Sequence, residues 1–167
     1  MSNPASITAV IARPHGTDSW QGRYILGYGA PVDLGPVLHR LAARAHADNG
    51  ADGISALAAA LIDEHVCWEQ IEPDGERLGA CRCHNPEPVA VKVLDSQMLT
   101  PGQARTARYA YLLHPKGLRI EVQINGDWLK LGRASYTRDT GGIRFDLMAE
   151  RARELREAHA WDTDPAN

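Results

Sequence analysis

Apolar residues change their spacing several times along this chain, and each change marks an element. Ile7 to Arg13 is β-branched and apolar enough for a strand. Trp20 to Tyr28 reads as its return, with Gly22, Gly27 and Gly29 weakening or bending it. The stretch between, Pro14 to Ser19, has the composition of a turn. The spacing therefore predicts a β-hairpin over about 7–28. Leu34, Val37, Leu38, Leu41, Ala42 and Ala45 then recur with helical periodicity. Asp33 is the expected N-cap, and Pro36 is tolerable that early because its missing N–H costs no intrahelical bond. Asn49-Gly50 offers a left-handed stop. Ile54, Leu57, Ala58, Leu61, Ile62 and His65 repeat the helical stripe behind Asp52. The expectation is an αα-hairpin whose two stripes pack on one face of a sheet.

The pattern then lapses. Pro73, Gly75, Gly79, Pro86 and Pro88 punctuate a long connection expected to lack secondary structure. Val89, Val91 and Val93 alternate as a strand would, and Thr100 to Arg105 reads as a flexible polar loop. Asn125-Gly126 is a two-residue hairpin turn, since both positions tolerate positive φ. It pairs Ile124 with Asp127, Val122 with Leu129 and Ile120 with Leu131. With a turn at His114 to Gly117, in which Gly117 takes the left-handed position, a meander runs over about 107–114, 118–124 and 127–136. In that register Leu112, Ile120, Val122, Leu129 and Leu131 share the core face. Tyr109, Tyr111, Glu121 and Trp128 take the other, and a one-residue slip at Gly117 would bring the tyrosines inward. Asp146 to Ala160 is a Glu- and Arg-rich helix with few apolar positions, expected to dock weakly.

Composition adds bounds. The chain has 167 residues, 44% hydrophobic and 23% charged, with a net charge of −3. Those values fit one soluble domain, taken as residues 1–161 with a disordered tail at 162–167. No apolar run reaches the length of a membrane span, and residues 1–5 lack the start of a secretory leader. A cytoplasmic location and no membrane partner follow as expectations. A net acidic chain also lacks the basic footprint of a nucleic-acid binder, so a protein partner is favoured.

The three cysteines change the picture, because all fall within residues 67–83 beside two histidines. Zinc takes four thiolate or imidazole donors in a tetrahedron, and Cys67, Cys81 and Cys83 with His84 or His65 supply that count. A bound ion would also hold the irregular 73–88 segment in shape. The spacing matches none of the common zinc patterns, and buried thiols beside a loop histidine are the simpler reading. Cys81 or Cys83 beside His84 could alternatively form an activated thiol. Trp20, Tyr24 and Tyr28 cluster in the first hairpin and Tyr109, Tyr111 and Trp128 in the meander. With Arg23 and Arg108 nearby they could form a binding surface. With one phenylalanine in the chain, core packing is the stronger reading of the same rings. Phosphate-loop, metalloprotease and nucleophile-elbow patterns are absent.

Gly22-Arg23-Tyr24, Leu61-Ile62-Asp63-Glu64-His65, Cys81-Arg82-Cys83-His84, Tyr109-Ala110-Tyr111 and the Trp128–Arg133 strand occur in that order. In this the chain resembles small uncharacterised actinobacterial and phage-borne proteins over about residues 7–136. It departs from them at Ile25-Leu26-Gly27-Tyr28, where a more polar, aromatic stretch is expected. The resemblance carries no activity to transfer.

Together these observations lead to an α+β fold: a mostly antiparallel sheet of five or six strands, an αα-hairpin on one face and a C-terminal helix. The leading functional expectation is a small binding or regulatory module with a structural zinc in the 65–84 region. A hydrolase or nuclease using His65 or His84 with a carboxylate, and a nucleic-acid binder, are the competing classes.

Overall fold

The computed structural model describes residues 6–74, 77–84 and 97–162, with the backbone alone for His84, Trp161 and Asp162. Seven strands form one sheet: β1 (Ala9–Pro14), β2 (Trp20–Ile25), β3 (Trp68–Ile71), β4 (Gly79–Cys81), β5 (Tyr109–His114), β6 (Gly117–Ile124) and β7 (Asp127–Ser135). Their order is β4-β3-β2-β1-β5-β6-β7. Four neighbouring pairs are antiparallel, while β1–β5 and β2–β3 are parallel. Helix α1 (Pro31–Ile62) connects the parallel strands β2 and β3, and α2 (Phe145–Asp162) closes the described chain. The fold is α+β, as expected, with more strands than the periodicity reveals. The Val89-to-Val93 strand, and residues 163–167 of the expected tail, lie outside the described residues.

α1 is a single helical span with a break. Asn49 (φ −141°) and Gly50 (φ +58°) leave helical geometry where the Asn-Gly stop was read. A Cβ on Gly53 would run into the carbonyl oxygen of Ala45, eight residues back, so the chain packs tightly against itself there. Both stripes do what their spacing predicts: Leu34, Leu38, Leu41 and Ala42, then Ile54, Ala58, Leu61 and Ile62, are buried in one cluster. The helix begins earlier than expected. Ala30 is the N-cap and Pro31 follows it, so Asp33 sits in the first turn without a side-chain cap bond. There its carboxylate still meets the favourable end of the helix dipole.

The sheet has two buried faces. α1 and α2 cover one, through Phe145 and Ala152 of α2 as well as the α1 stripes. The other holds Val10, Ala12, Trp20, Tyr24, Cys67, Ala110 and Leu112 under Leu99, Ala104 and Ala107. Residues 100–105 form a loop, as expected, anchored through the buried Ala104 while Gly102, Gln103 and Arg105 are exposed. Leu99 exchanges two backbone bonds with Gly22, each 2.9 Å. Gln123 and Trp128 donate to the Ala104 and Pro101 carbonyls. α2 docks more firmly than its sparse apolar pattern suggests, because Phe145 and Ala152 complete the helix-side core.

The meander forms with two corrections. Asn125 (φ +51°) and Gly126 (φ +90°) make the expected turn, and Ile124↔Asp127 and Val122↔Leu129 pair as predicted. A bulge between Ile120 and Glu121 then sets Ile120 opposite Gly132 instead of Leu131. At the other turn His114 pairs with Gly117, leaving only Pro115 and Lys116 in the loop. That is the one-residue slip, so Tyr109 and Tyr111 join Ile120 and Val122 on the helix side and Leu112 lies opposite. Gly117 does not adopt positive φ; a Cβ there would lie 2.9 Å from the Ala134 carbonyl, so close approach is what it supplies.

Candidate metal centre

The site begins at the end of α1. The last carbonyls of a helix have no intrahelical donor and need one from elsewhere. The Trp68 indole N–H bonds the Leu61 carbonyl at 2.8 Å, and Arg23 Nε bonds that of Ile62 at 2.8 Å. Arg13 grips Asp63 with two bonds of 2.6 and 2.7 Å, and its guanidinium holds the Asp63 carboxyl below its ordinary pKa. Asp63 is thus one half of a fork-to-fork ion pair. These contacts stop the helix at Ile62, so His65 sits in the turn that follows and not on a helix face. Its ring packs against Trp68 with centroids 4.3 Å apart.

β3 and β4 bring the cysteines to it. Trp68 pairs with Cys81 across the two strands, and Arg82 N–H bonds the Cys67 carbonyl. The 73–88 connection, read as structureless, thus contains β4 and a 3-10 turn at Arg82–His84. Gly79 opens β4 because a Cβ there would collide with the Gln70 carbonyl. The 3-10 turn folds Cys83 back over Cys81, with the Cys83 N–H 3.4 Å from the Cys81 sulfur.

His65, Cys81 and Cys83 then converge. Their donor atoms all lie within 4.8 Å of one another, close enough to hold a metal ion. His65 Nδ1 is 3.2 Å from Cys83 Sγ, and the two sulfurs are 2.9 Å apart. Cys81 is buried and Cys83 exposed. Burial and the bond to Cys81 both push the Cys83 thiol pKa up. Zinc bonded at about 2.3 Å to each sulfur separates tetrahedral thiolates by roughly 3.8 Å, so loading would move the exposed Cys83 outward by about 1 Å.

Cys67 is not in this group. Successive strand residues face opposite ways. Trp68 and Cys81 belong to the helix-side cluster, while the Cys67 thiol is buried in the other. The fourth expected donor, the His84 side chain, lies outside the described residues.

The aromatic surface is not formed. Tyr24, Tyr109 and Tyr111 are buried, and the Tyr111 hydroxyl donates to the Gly29 carbonyl at 2.7 Å. Burial raises the pKa of that hydroxyl. Trp128 meets Trp20 edge-on at 5.3 Å, and Arg23 is committed to the end of α1. Core packing, the stronger reading of these rings, accounts for all of them but Tyr28, which is exposed.

One polar residue escaped the sequence reading. His39 is fully buried and bonds the Ser135 carbonyl and Thr140 Oγ1, each at 2.8 Å. A carbonyl only accepts, so Nε2 carries a proton; in the neutral ring Nδ1 then accepts from Thr140. Gly35 and His39 together widen the buried arc of α1 toward Phe145, and a glycine next to that arc was the available signal. No helix among the described residues is long and apolar enough to cross a membrane. No family model, curated protein or solved structure matches the chain.

Proposed function

We propose that this chain is a small protein-binding module whose β3–β4 corner is held by a structural zinc ion. The carrying observation is the convergence of one imidazole and two thiol donors within 4.8 Å of one another. β3 and β4 are four and three residues long, and β3 meets β2 at a single residue pair. So short a strand pair gains little from its ladder alone. A metal ion tying the turn after α1 to the turn after β4 would supply the missing constraint, as structural zinc does in small domains. His65 would bind through Nδ1, with Cys81 and Cys83 as thiolates and His84 as the fourth donor. The Cys83 N–H already points to the Cys81 sulfur, the kind of outer bond that stabilises a coordinated thiolate. The three free thiols fit a reducing compartment such as the cytoplasm. We also read the two arms of α1 as the αα-hairpin, supported by the break at Asn49–Gly50 and the closeness of Gly53 to Ala45.

Metal analysis of the purified chain tests the zinc. The expected result is one zinc per chain, lost in Cys81→Ser, Cys83→Ser and His65→Ala and retained in Cys67→Ser. Retention in Cys81→Ser, or no zinc in the unaltered chain after reconstitution under reducing conditions, would overturn the reading.

A further inference from the structure

At the opposite edge of the sheet, among the described residues, β7 pairs only with β6 and ends the strand order. Nine residues long, β7 is mostly exposed or half-buried. A groove of about 280 Å³ runs between Leu131–Ser135 of this strand and the start of α2, floored by Ile143 and Met148. Arg133, Arg138, Arg144 and Arg151 border it, and no carboxylate lines it. Some of that charge is engaged nearby: Arg144 pairs with Asp146 at 2.6 Å, and Arg151 reaches Glu154 at 3.7 Å. Arg138 donates to the Gly142 carbonyl. Arg133 has no carboxylate within salt-bridge distance among the described residues, and its neighbours on β6 and β7 include Arg119 and Lys130. Among the described residues of this edge, the positive charge left without a carboxylate partner is thus that of Lys130 and Arg133 on β7, in a chain that is net acidic.

An open strand edge is a template for another strand, because its outward N–H and C=O groups have no partner. A strand added there presents its side chains alternately to the two sides. We propose that the free edge of β7 docks an extended acidic peptide of a partner protein, its apolar residues alternating with Asp or Glu. The backbone pairs with β7; the carboxylates, turned to the face away from α2, meet Lys130 and Arg133, and the apolar residues, turned toward α2, rest on Ile143, Leu147 and Met148. Arginine suits this role, since its planar fork binds a carboxylate through two parallel bonds. The proposal deepens the binding-module reading by naming the partner's chemistry, and it stands apart from the metal centre.

Fluorescence anisotropy of the full chain with a labelled octapeptide of alternating Glu and Val tests it. The peptide is expected to bind saturably and more weakly as salt rises. A Lys130→Glu/Arg133→Glu variant is expected to lose about tenfold or more in affinity. Two peptides N-methylated at alternate residues, one in each register, separate strand pairing from charge attraction. One register should lose about tenfold while the other binds like the parent, because a strand turns alternate amides to opposite edges. The peptide result should persist in Cys81→Ser, so this proposal and the metal reading fail separately. Equal binding by both methylated peptides, equal binding by a Lys-Val peptide, tighter binding of a single-stranded oligonucleotide, or no saturable binding would each overturn it.

Discussion

The two edges of the sheet solve the same problem differently. At one end β4 is three residues long and leans on β3, itself joined to β2 by one residue pair. At the other, β7 pairs along nearly the whole of β6, and the helix-side core continues beneath it through Ile120, Val122, Ile124 and Ala134. The β7 end is held by ladder and apolar burial. The β4 end also buries Trp68, Ile71 and Cys81 in that core, but its ladder is short and a cluster of polar and thiol groups is gathered beside it where α1 stops. Where the ladder is short, a few well-placed donors and acceptors help set the geometry, and such groups are also the ones that can bind something.

The largest expected effect lies at the β7 end. Ile120→Ala removes a fully buried side chain and should cost about 2–5 kcal/mol in denaturant unfolding, with or without metal. At the β4 end the cost should depend on zinc. With free zinc a thousandfold above the dissociation constant, Cys81→Ser should forfeit about 4 kcal/mol of metal-linked stability, read from unfolding curves with and without the ion. Under chelator the same substitution should cost only the burial of a hydroxyl at the Cys81 site, about 1–3 kcal/mol, and an equal loss in both conditions would erase the contrast between the edges. His39→Leu should cost about 1–3 kcal/mol in the same assay, because the Thr140 hydroxyl loses its partner and the Ser135 carbonyl keeps only the Arg138 N–H at 3.3 Å.

Two smaller effects concern pH. Burial, and then Arg119, Arg133 and Lys130, lower the His114 pKa below its ordinary value of 6.5. The unfolded chain then binds this proton at higher pH than the folded one. The contribution is favourable above the unfolded pKa and shrinks as pH falls from there through the folded pKa. His114→Gln should flatten the fall in stability just below about pH 6.5. Asp63 works in the carboxylate range. Its pKa is lowered by Arg13, so its contribution is present above about pH 4 and lost as pH falls through the folded value. Both partners are partly solvent-exposed, so Asp63→Asn should cost no more than about 1 kcal/mol at neutral pH.

Much of the helix side was legible in the chain, because a stripe such as Leu34-Leu38-Leu41-Ala42 is long enough to declare its period. The Asn125-Gly126 turn was legible because few dipeptides tolerate positive φ twice. β3 and β4 were not, since four and three residues cannot establish an alternation. The tyrosines faced unexpectedly because the turn holds two residues, and a period of two turns one residue of slip into a change of face. The candidate site was half legible. Residue types and proximity in sequence drew His65 and all three cysteines together, but only strand alternation sends Cys67 to the other side of the sheet. Of the contacts that place His65, those from Arg13 and Arg23 come from distant strands and leave no local signature, while Trp68 is close in sequence.

The parallel pairing of β1 with β5 has a consequence for how the chain is made. Ala9 meets Tyr109, so a central strand formed among the first residues waits for a neighbour one hundred positions later. Until then one edge of Ala9–Ala12, all four fully buried in the finished protein, stays bare during synthesis. Contacts so distant in sequence are slow to form because the intervening loop must close first. A ribosome-bound chain ending near residue 74 should therefore be sensitive to protease, and one extended past β6 should be resistant.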